Sequence, residues 1–349
     1  MAHLWVRAEE RGDEARVGLT PQGAATLLAD GFEVTVEDSP RRAIPTQLYR
    51  DAGARIAPAG SWRQAPNEAI IFGLKELPLD GAPLRHRHIM FGHAYKGQPD
   101  GQKLLAQFKA GSGTLYDLEY LVDGAGRRVA AFGYWAGYAG AAVALRCWAA
   151  QRHGGIAGPV GSYPSAEEMR RDLAETLGDL DLPNALVIGA LGRVGSGACD
   201  LCEAMGVSVT RWDMAETAHG GPFSEVLEHE IFFNCILATP GVPVFVPADT
   251  PTRPRRLRVI GDIACDPSSD FSPIKVYDRT TTWQAPALRV HDDPPLDVTA
   301  IDNLPTMLPR EASEDYAAQL LPTLRTLDKM DSGVWPRARQ TFEAAIAKL

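Results

Sequence analysis

Leu186-Val-Ile-Gly-Ala-Leu-Gly-Arg-Val-Gly-Ser-Gly197 decides the fold. An apolar run leads straight into a loop with glycines at Gly189, Gly192, Gly195 and Gly197, and a helix-like segment follows. Such a unit turns the backbone tightly and presents the N–H groups of a helix start to a pyrophosphate. A second apolar run, Val207-Ser-Val-Thr-Arg-Trp, ends in Asp213, 24 residues after Gly189. That is near the roughly 20-residue spacing at which a second strand delivers a ribose-binding acid. A plain glycine turn explains the bend but neither the number of glycines nor the acid. Gly189, Gly192, Arg193, Gly195 and Asp213 are therefore read as cofactor-binding. Asp213 would repel a 2′-phosphate and accept from a 2′-hydroxyl, which favours NAD over NADP, while Arg211 leaves NADP open.

Outward from this stretch, 349 residues are too many for one ordinary core, so two domains are expected. A net charge of -9 and the lack of a long basic run argue against a nucleic-acid partner. The densest basic stretch, Arg253-Pro-Arg-Arg-Leu-Arg258, reads as a solvated loop. Cys147, Cys199, Cys202, Cys235 and Cys265 are odd in number and mostly embedded in apolar segments, which suits reduced thiols of a cytoplasmic protein. Cys199 and Cys202 form a CxxC inside the expected helix, where packing explains them better than redox chemistry. The uncharged run from Val129 to Leu145 is too rich in alanine and glycine for a membrane span and reads as a buried helix. No signal peptide is visible, and the final Ala347-Lys348-Leu349 would be a peroxisomal address only in a eukaryote.

Before the glycine loop, strands and helices alternate. Leu4-Trp-Val-Arg opens as a strand, and Thr20-Pro-Gln-Gly starts a helix with a cap and an N-terminal proline that stops at Gly31. Phe32 to Glu37, Ala69-Ile-Ile-Phe-Gly and His88-Ile-Met-Phe-Gly read as strands, with helices at 47–52 and 101–109. Later come helices at 137–152 and 165–177, strands at 231–236 and 257–262, and helices at 313–327 and 335–349, with Pro322 a candidate kink.

Two strand ends carry candidate chemistry. Gly73-Leu-Lys-Glu places Lys75 and Glu76 just past an apolar strand, and Phe91-Gly-His-Ala-Tyr-Lys-Gly-Gln98 places His93, Tyr95, Lys96 and Gln98 past another. Oxidation of an amine by hydride loss needs the nitrogen neutral, and imine hydrolysis needs an activated water. A lysine depressed by nearby positive charge and a histidine near neutrality suit those tasks. From spacing alone, a surface ion pair for Lys75 and a turn cap for His93 remain open. His86 and His88 with His93 make a poor metal set, because Arg85 and Arg87 lie between them. Arg7, Arg11, Arg16 and the Arg127-Arg128 pair are candidate carboxylate binders. Glu119 sits in an aromatic setting, and Asp302 precedes a capping run.

At these residues the sequence resembles the NAD-dependent, L-lysine-forming saccharopine dehydrogenases of the alanine dehydrogenase-like group. The likeness is nearly end to end, through Arg7-Ala-Glu, Glu14-Ala-Arg16, Val36-Glu-Asp-Ser-Pro, Gly73-Leu-Lys-Glu, Gly113-Thr-Leu-Tyr-Asp-Leu-Glu119, Gly126-Arg-Arg-Val-Ala-Ala-Phe-Gly, Gly220-Gly-Pro-Phe and Leu308-Pro-Arg-Glu-Ala-Ser313. It implies an α/β chain of two Rossmann-like domains with an interdomain active-site cleft: residues 1–130 plus 310–349 for substrate and catalysis, residues 131–309 for NAD. It also implies Lys75 as the base toward the secondary amine, His93 as the acid–base group of imine hydrolysis, and Glu119 as modulator of both. Arg16, Lys96, Arg128 and Asp302 would bind substrate, with Asp302 also beside the nicotinamide. Saccharopine, L-lysine and 2-oxoglutarate are the implied substrates, in lysine biosynthesis by a cytoplasmic monomer. His219 departs from the basic residue that relatives can carry before Gly-Gly-Pro-Phe. An opine- or amino-acid-type dehydrogenase with another substrate pair, or an NAD-binding sensor without catalysis, are the competing expectations. Hinges are expected within 126–140 and after Asp302.

Overall fold

The computed structural model describes residues 2–97 and 99–349; Gln98, named above among the polar groups, lies outside them. The chain divides into two compact units, Met1–Ala131 with Pro309–Leu349, and Phe132–Leu308.

The first unit is a parallel sheet. Its chain order is β1 (His3–Val6), α1 (Pro21–Ala29), β2 (Glu33–Glu37), α2 (Thr46–Asp51), β3 (Arg55–Ala57), β4 (Ile70–Phe72), β5 (Arg87–Met90), α3 (Pro99–Gly111) and β6 (Thr114–Asp117). The strands lie in the order β3-β2-β1-β4-β5-β6. The direction of winding therefore reverses between β1 and β4, and open sheets of this kind take ligands beyond the carboxyl ends of strands at that reversal. Thr20 caps α1 by accepting from the Gly23 amide, and Pro21 supplies a φ already suited to a helix start. Sequence reading missed β3, whose three half-exposed or exposed residues carry no clear alternation.

The second unit contains α4 (Gly133–Arg152), α5 (Ala166–Leu177), β7 (Asn184–Ile188), α6 (Arg193–Ala204), β8 (Ser208–Trp212), α7 (Met214–Thr217), α8 (Glu225–Glu228), β9 (Ile231–Asn234), β10 (Val259–Asp262), β11 (Leu288–Asp292) and β12 (Pro295–Thr299). Its strand order is β11-β12-β10-β9-β7-β8, with only β11 antiparallel. Winding reverses between β7 and β9. The β11–β12 pair escaped the sequence reading because Arg289, Asp292 and Asp297 interrupt its apolar pattern. Asp297, with no exposed surface, is held by Arg289 and Gln151.

The alanine- and glycine-rich run becomes α4, the core helix of this unit, with Tyr138 to Leu145 buried. Gly137 and Gly197 let it lie directly on α6. A Cβ on Gly137 would run into the Val194 carbonyl, and one on Gly197 into that of Tyr134. Among the described residues no helix is long and apolar enough to cross a membrane.

The last two helices, α9 (Pro309–Leu324) and α10 (Trp335–Ile346), belong to the first unit. Pro322 sits inside α9 without ending it. The basic stretch is not a solvated loop throughout: Arg255 is half-buried and donates to the carbonyls of Pro294 (2.6 Å) and Pro295 (3.3 Å), tying the approach to β10 onto β12.

Candidate functional site

Four strands of the first sheet end on one side, and each delivers a polar group there. Past β1 come Arg7 and Glu9; past β4, Lys75 and Glu76; past β5, His93; at the end of β6, Asp117 and Glu119. Parallel pairing brings these loops together even though tens of residues separate them in sequence.

Lys75 is held by its backbone. Glu9 accepts from the amides of Leu74 (2.6 Å) and Lys75 (3.0 Å), and the Arg7 guanidinium donates to the Lys75 carbonyl. Arg7 is thus a buried brace for this turn, 1% exposed, rather than a carboxylate receptor. Gly73 is required beside it, because a Cβ there would strike the Arg7 guanidinium. The Lys75 side chain is 12% exposed, with its Nζ 4.0 Å from Glu14. Burial, and then the charge of Arg16, push its pKa below the usual lysine value, with Glu14 opposing.

Arg16 and Glu14 form a buried bidentate pair, with Nε and Nη2 donating to the two carboxylate oxygens at 2.8 and 2.7 Å. The Arg16 guanidinium is thereby oriented by Glu14.

His93 occupies the left-handed region, φ 46°, which aims its ring back toward β4. Its Nδ1 is hydrogen-bonded to Glu76, and its ring stacks on Phe91 with centroids 6.2 Å apart. The bond to Glu76 raises the His93 pKa; burial and Lys75 work against it, and Asp117 works with the bond. Burial alone would raise Glu76, but the His93 bond, its own backbone hydrogen bond and nearby positive charge hold it down to about 2. Asp117 is buried between the β5 and β6 loops and accepts from the amides of Gly92 (3.1 Å) and Glu119 (2.8 Å). Burial pushes it up to about 6 against those two bonds.

Glu119 pairs with Arg128 at 2.5 Å and Lys96 at 3.4 Å. The acids paired with His93 and Lys75 are Glu76 and Glu14, and Glu119 pairs with Lys96 and Arg128. Sequence reading placed Glu76 without giving it a role and missed Glu14 and Asp117 as partners. Arg11 lies in an exposed pair with Asp13, and Arg127 in one with Asp123. His86 and His88 belong to the core: His86 Nε2 lies 3.1 Å from the Ala65 carbonyl, and His88 is wedged edge-on between Trp62 and Phe108. Among the described residues no group of three or more histidine, cysteine, aspartate or glutamate side chains could hold a metal ion.

In the second unit the glycines divide their labour. Gly189 takes φ 88°, and a Cβ there would lie 2.7 Å from Ile236. Gly192 is the N-cap of α6, and no side-chain hydrogen bond from it caps the start of that helix. Gly195 and Gly197 serve packing: a Cβ at Gly195 would run into the Gly189 carbonyl. Arg193 opens α6 and is exposed. Asp213 follows β8, caps α7 and accepts from the Leu191 amide at 3.0 Å, which ties the glycine loop to the second strand. Arg211 is paired with Glu203 on α6. His219 is exposed, edge-on to Phe223 at 5.2 Å. Asp302 is exposed, past the end of β12. Asp262, at the end of β10, accepts from Asn234 (2.9 Å) and Tyr277 (2.5 Å), a buried cluster that no local sequence signal marks. All five cysteines are free thiols, and Cys199 and Cys202 are buried on α6.

Comparison with known proteins places this architecture. Residues 5–139 match the alanine dehydrogenase/PNT N-terminal domain family. Over 99% of both chains, the sequence is 43% identical to a protein of Schizosaccharomyces pombe named saccharopine dehydrogenase [NAD(+), L-lysine-forming]. A Neurospora crassa protein of the same name is 44% identical over 99% of this chain and 97% of its own. Among solved structures an L-alanine dehydrogenase shares the fold, with a TM-score of 0.69 and 19% identity, covering 98% of this chain and 99% of its own. The chain belongs to the NAD-dependent, L-lysine-forming saccharopine dehydrogenase family.

Proposed function

We propose that the chain converts saccharopine, NAD and water reversibly to L-lysine, 2-oxoglutarate and NADH, with Lys75 and His93 moving the protons. The observation that carries this reading is the convergence past β4 and β5 of a half-buried lysine with lowered pKa and a histidine bonded to a carboxylate.

The second unit supports the cofactor assignment through its tight turn at Gly189, the uncapped start of α6 and the acid past β8. Gly189, Gly192, Arg193 and Gly195 would take the pyrophosphate side, Asp213 the adenosine ribose and Asp302 the nicotinamide side. NAD held there would supply the hydride acceptor for the carbon that bears the secondary amine. Lys75 Nζ, neutral more readily than an ordinary lysine, takes the amine proton and leaves the nitrogen lone pair available. His93 Nε2 then takes a proton from water as it adds to the substrate imine, and returns one to the departing lysine nitrogen. Glu76 keeps Nδ1 engaged, so Nε2 faces the substrate. Arg16, Lys96 and Arg128 hold carboxylates, with Glu119 setting the positions of the last two.

The test is NADH oxidation with lysine plus 2-oxoglutarate at neutral pH, omitting each in turn and running NADPH in parallel. Turnover that needs both and prefers NADH is expected. NADH bound without turnover, or turnover with another amino acid and keto acid pair only, overturns the substrate assignment.

A further inference from the structure

Helix α9 comes from the far end of the chain, yet it touches three of the loops that carry the first unit's polar groups. Ser313, Tyr316 and Gln319 are successive i, i+3 neighbours on it. Ser313, with no exposed surface, donates to the Pro309 carbonyl one turn back (2.5 Å) and accepts from the Val17 amide (2.9 Å). The bond one turn back orients the hydroxyl so that a lone pair faces Val17, the residue after Arg16. Val17 is itself buried, so its N–H depends on this oxygen.

Gln319 repeats the device at another loop. Its Oε1 accepts from the Ala131 amide and its Nε2 donates to the Ala131 carbonyl, both at 3.2 Å, as a neighbouring strand would. Three residues before Ala131 stands Arg128, in a segment whose other end is fixed by the Val129 amide on Leu121 (2.9 Å). Between the two clamps Tyr316 is buried against Phe91, ring centroids 6.1 Å apart, and feels the charges of Arg128 and Arg16.

We propose that Ser313 and Gln319 are positioning residues for carboxylate recognition: through them α9 fixes the Arg16 loop and the Arg128 segment at the separation the substrate's carboxylates require. A bidentate guanidinium contact tolerates little displacement, so loosening either clamp weakens substrate binding without touching the cofactor unit. The proposal rests on the reading of Arg16 and Arg128 as substrate-binding.

The experiment compares Ser313→Ala, Ser313→Thr, Gln319→Met and Arg128→Met in saccharopine oxidation by the full chain. Ser313→Ala and Gln319→Met are each expected to raise KM for saccharopine on the order of tenfold, with KM for NAD unchanged. Ser313→Thr, which keeps the hydroxyl, should restore most of the loss. A merely structural role would lower melting temperature and yield without this split between the two KM values. Unchanged saccharopine KM in either folded α9 variant, beside a raised KM in Arg128→Met, overturns the role of α9. Unchanged KM in Arg128→Met overturns instead the substrate reading beneath it.

Discussion

His93 Nδ1 is hydrogen-bonded to the carboxylate of Glu76, across loops that leave two adjacent parallel strands, β4 and β5. The pair explains why the two carry opposite shifts: each stabilises the charged form of the other. Because His93 is raised, its share of folding stability is full below about 6.5 and is lost as pH rises through the folded value. Glu76 is depressed, so its share is present above about 4.5 and is lost as pH falls toward about 2.

Glu76→Gln should therefore move the acidic limb of the kcat/KM profile to lower pH, since His93 then loses its proton more readily. The pair is partly exposed, so the stability cost should stay within about 1 kcal/mol. The measurement is the pH–rate profile, with NMR titration of the His93 ring alongside; an unmoved ring pKa would disprove the coupling.

Lys75→Met should lower turnover by roughly 10²- to 10⁴-fold while NADH binding persists. Lys75→Arg should not rescue it, because a guanidinium does not release its proton at working pH. Steady-state rates with fluorescence titration of NADH decide this, and substantial activity in the arginine variant would count against a proton-accepting role.

Asp117 titrates in the opposite sense to Glu76. Its pKa rises from 3.8 to about 6, so the stability it contributes is full below 3.8 and is lost as pH rises through about 6. A shift of that size corresponds to about 3 kcal/mol. Asp117→Asn should flatten this stretch of the stability curve, at the cost of one of the amide bonds from Gly92 or Glu119. Denaturant unfolding of both proteins from pH 4 to 7 measures it, and parallel curves would refute it.

Gly197→Ala tests whether this glycine serves packing. The added methyl would run into the Tyr134 carbonyl on α4, so a loss of about 1–3 kcal/mol is expected from overpacking. The fraction that folds should bind NADH with ordinary affinity. Unchanged thermal stability with weakened NADH binding would instead make Gly197 part of the cofactor loop.

Asp213→Ala should lose both the α7 cap and the tie to the Leu191 amide, costing about 0.5–2 kcal/mol. The ratio of NADH to NADPH affinity should fall, since the acid that repels a 2′-phosphate is gone. A ratio unchanged in competitive titration would remove Asp213 from cofactor selection.

The sequence by itself determined what is local. Alternating apolar runs and caps marked most strands and helices, and the glycine spacing located the β7–α6 turn. The places of Lys75 and His93 were legible because each follows an apolar strand, and the structure puts both past strand ends of one parallel sheet. The reading also counted Gly197 among the glycines of the loop, whereas it lies inside α6, where a Cβ would run into the Tyr134 carbonyl. Tertiary structure decided the partnerships: Glu76 on His93, Glu14 beside Lys75, Asp117 between two loops and Ser313 on Val17, 296 residues apart. Periodicity and capping act within a few residues, whereas these contacts form only when parallel strands pair and the final helices fold back onto the first sheet. Burial then sets the charge states, because the cost of an ionised group depends on what surrounds it and not on its neighbours in sequence.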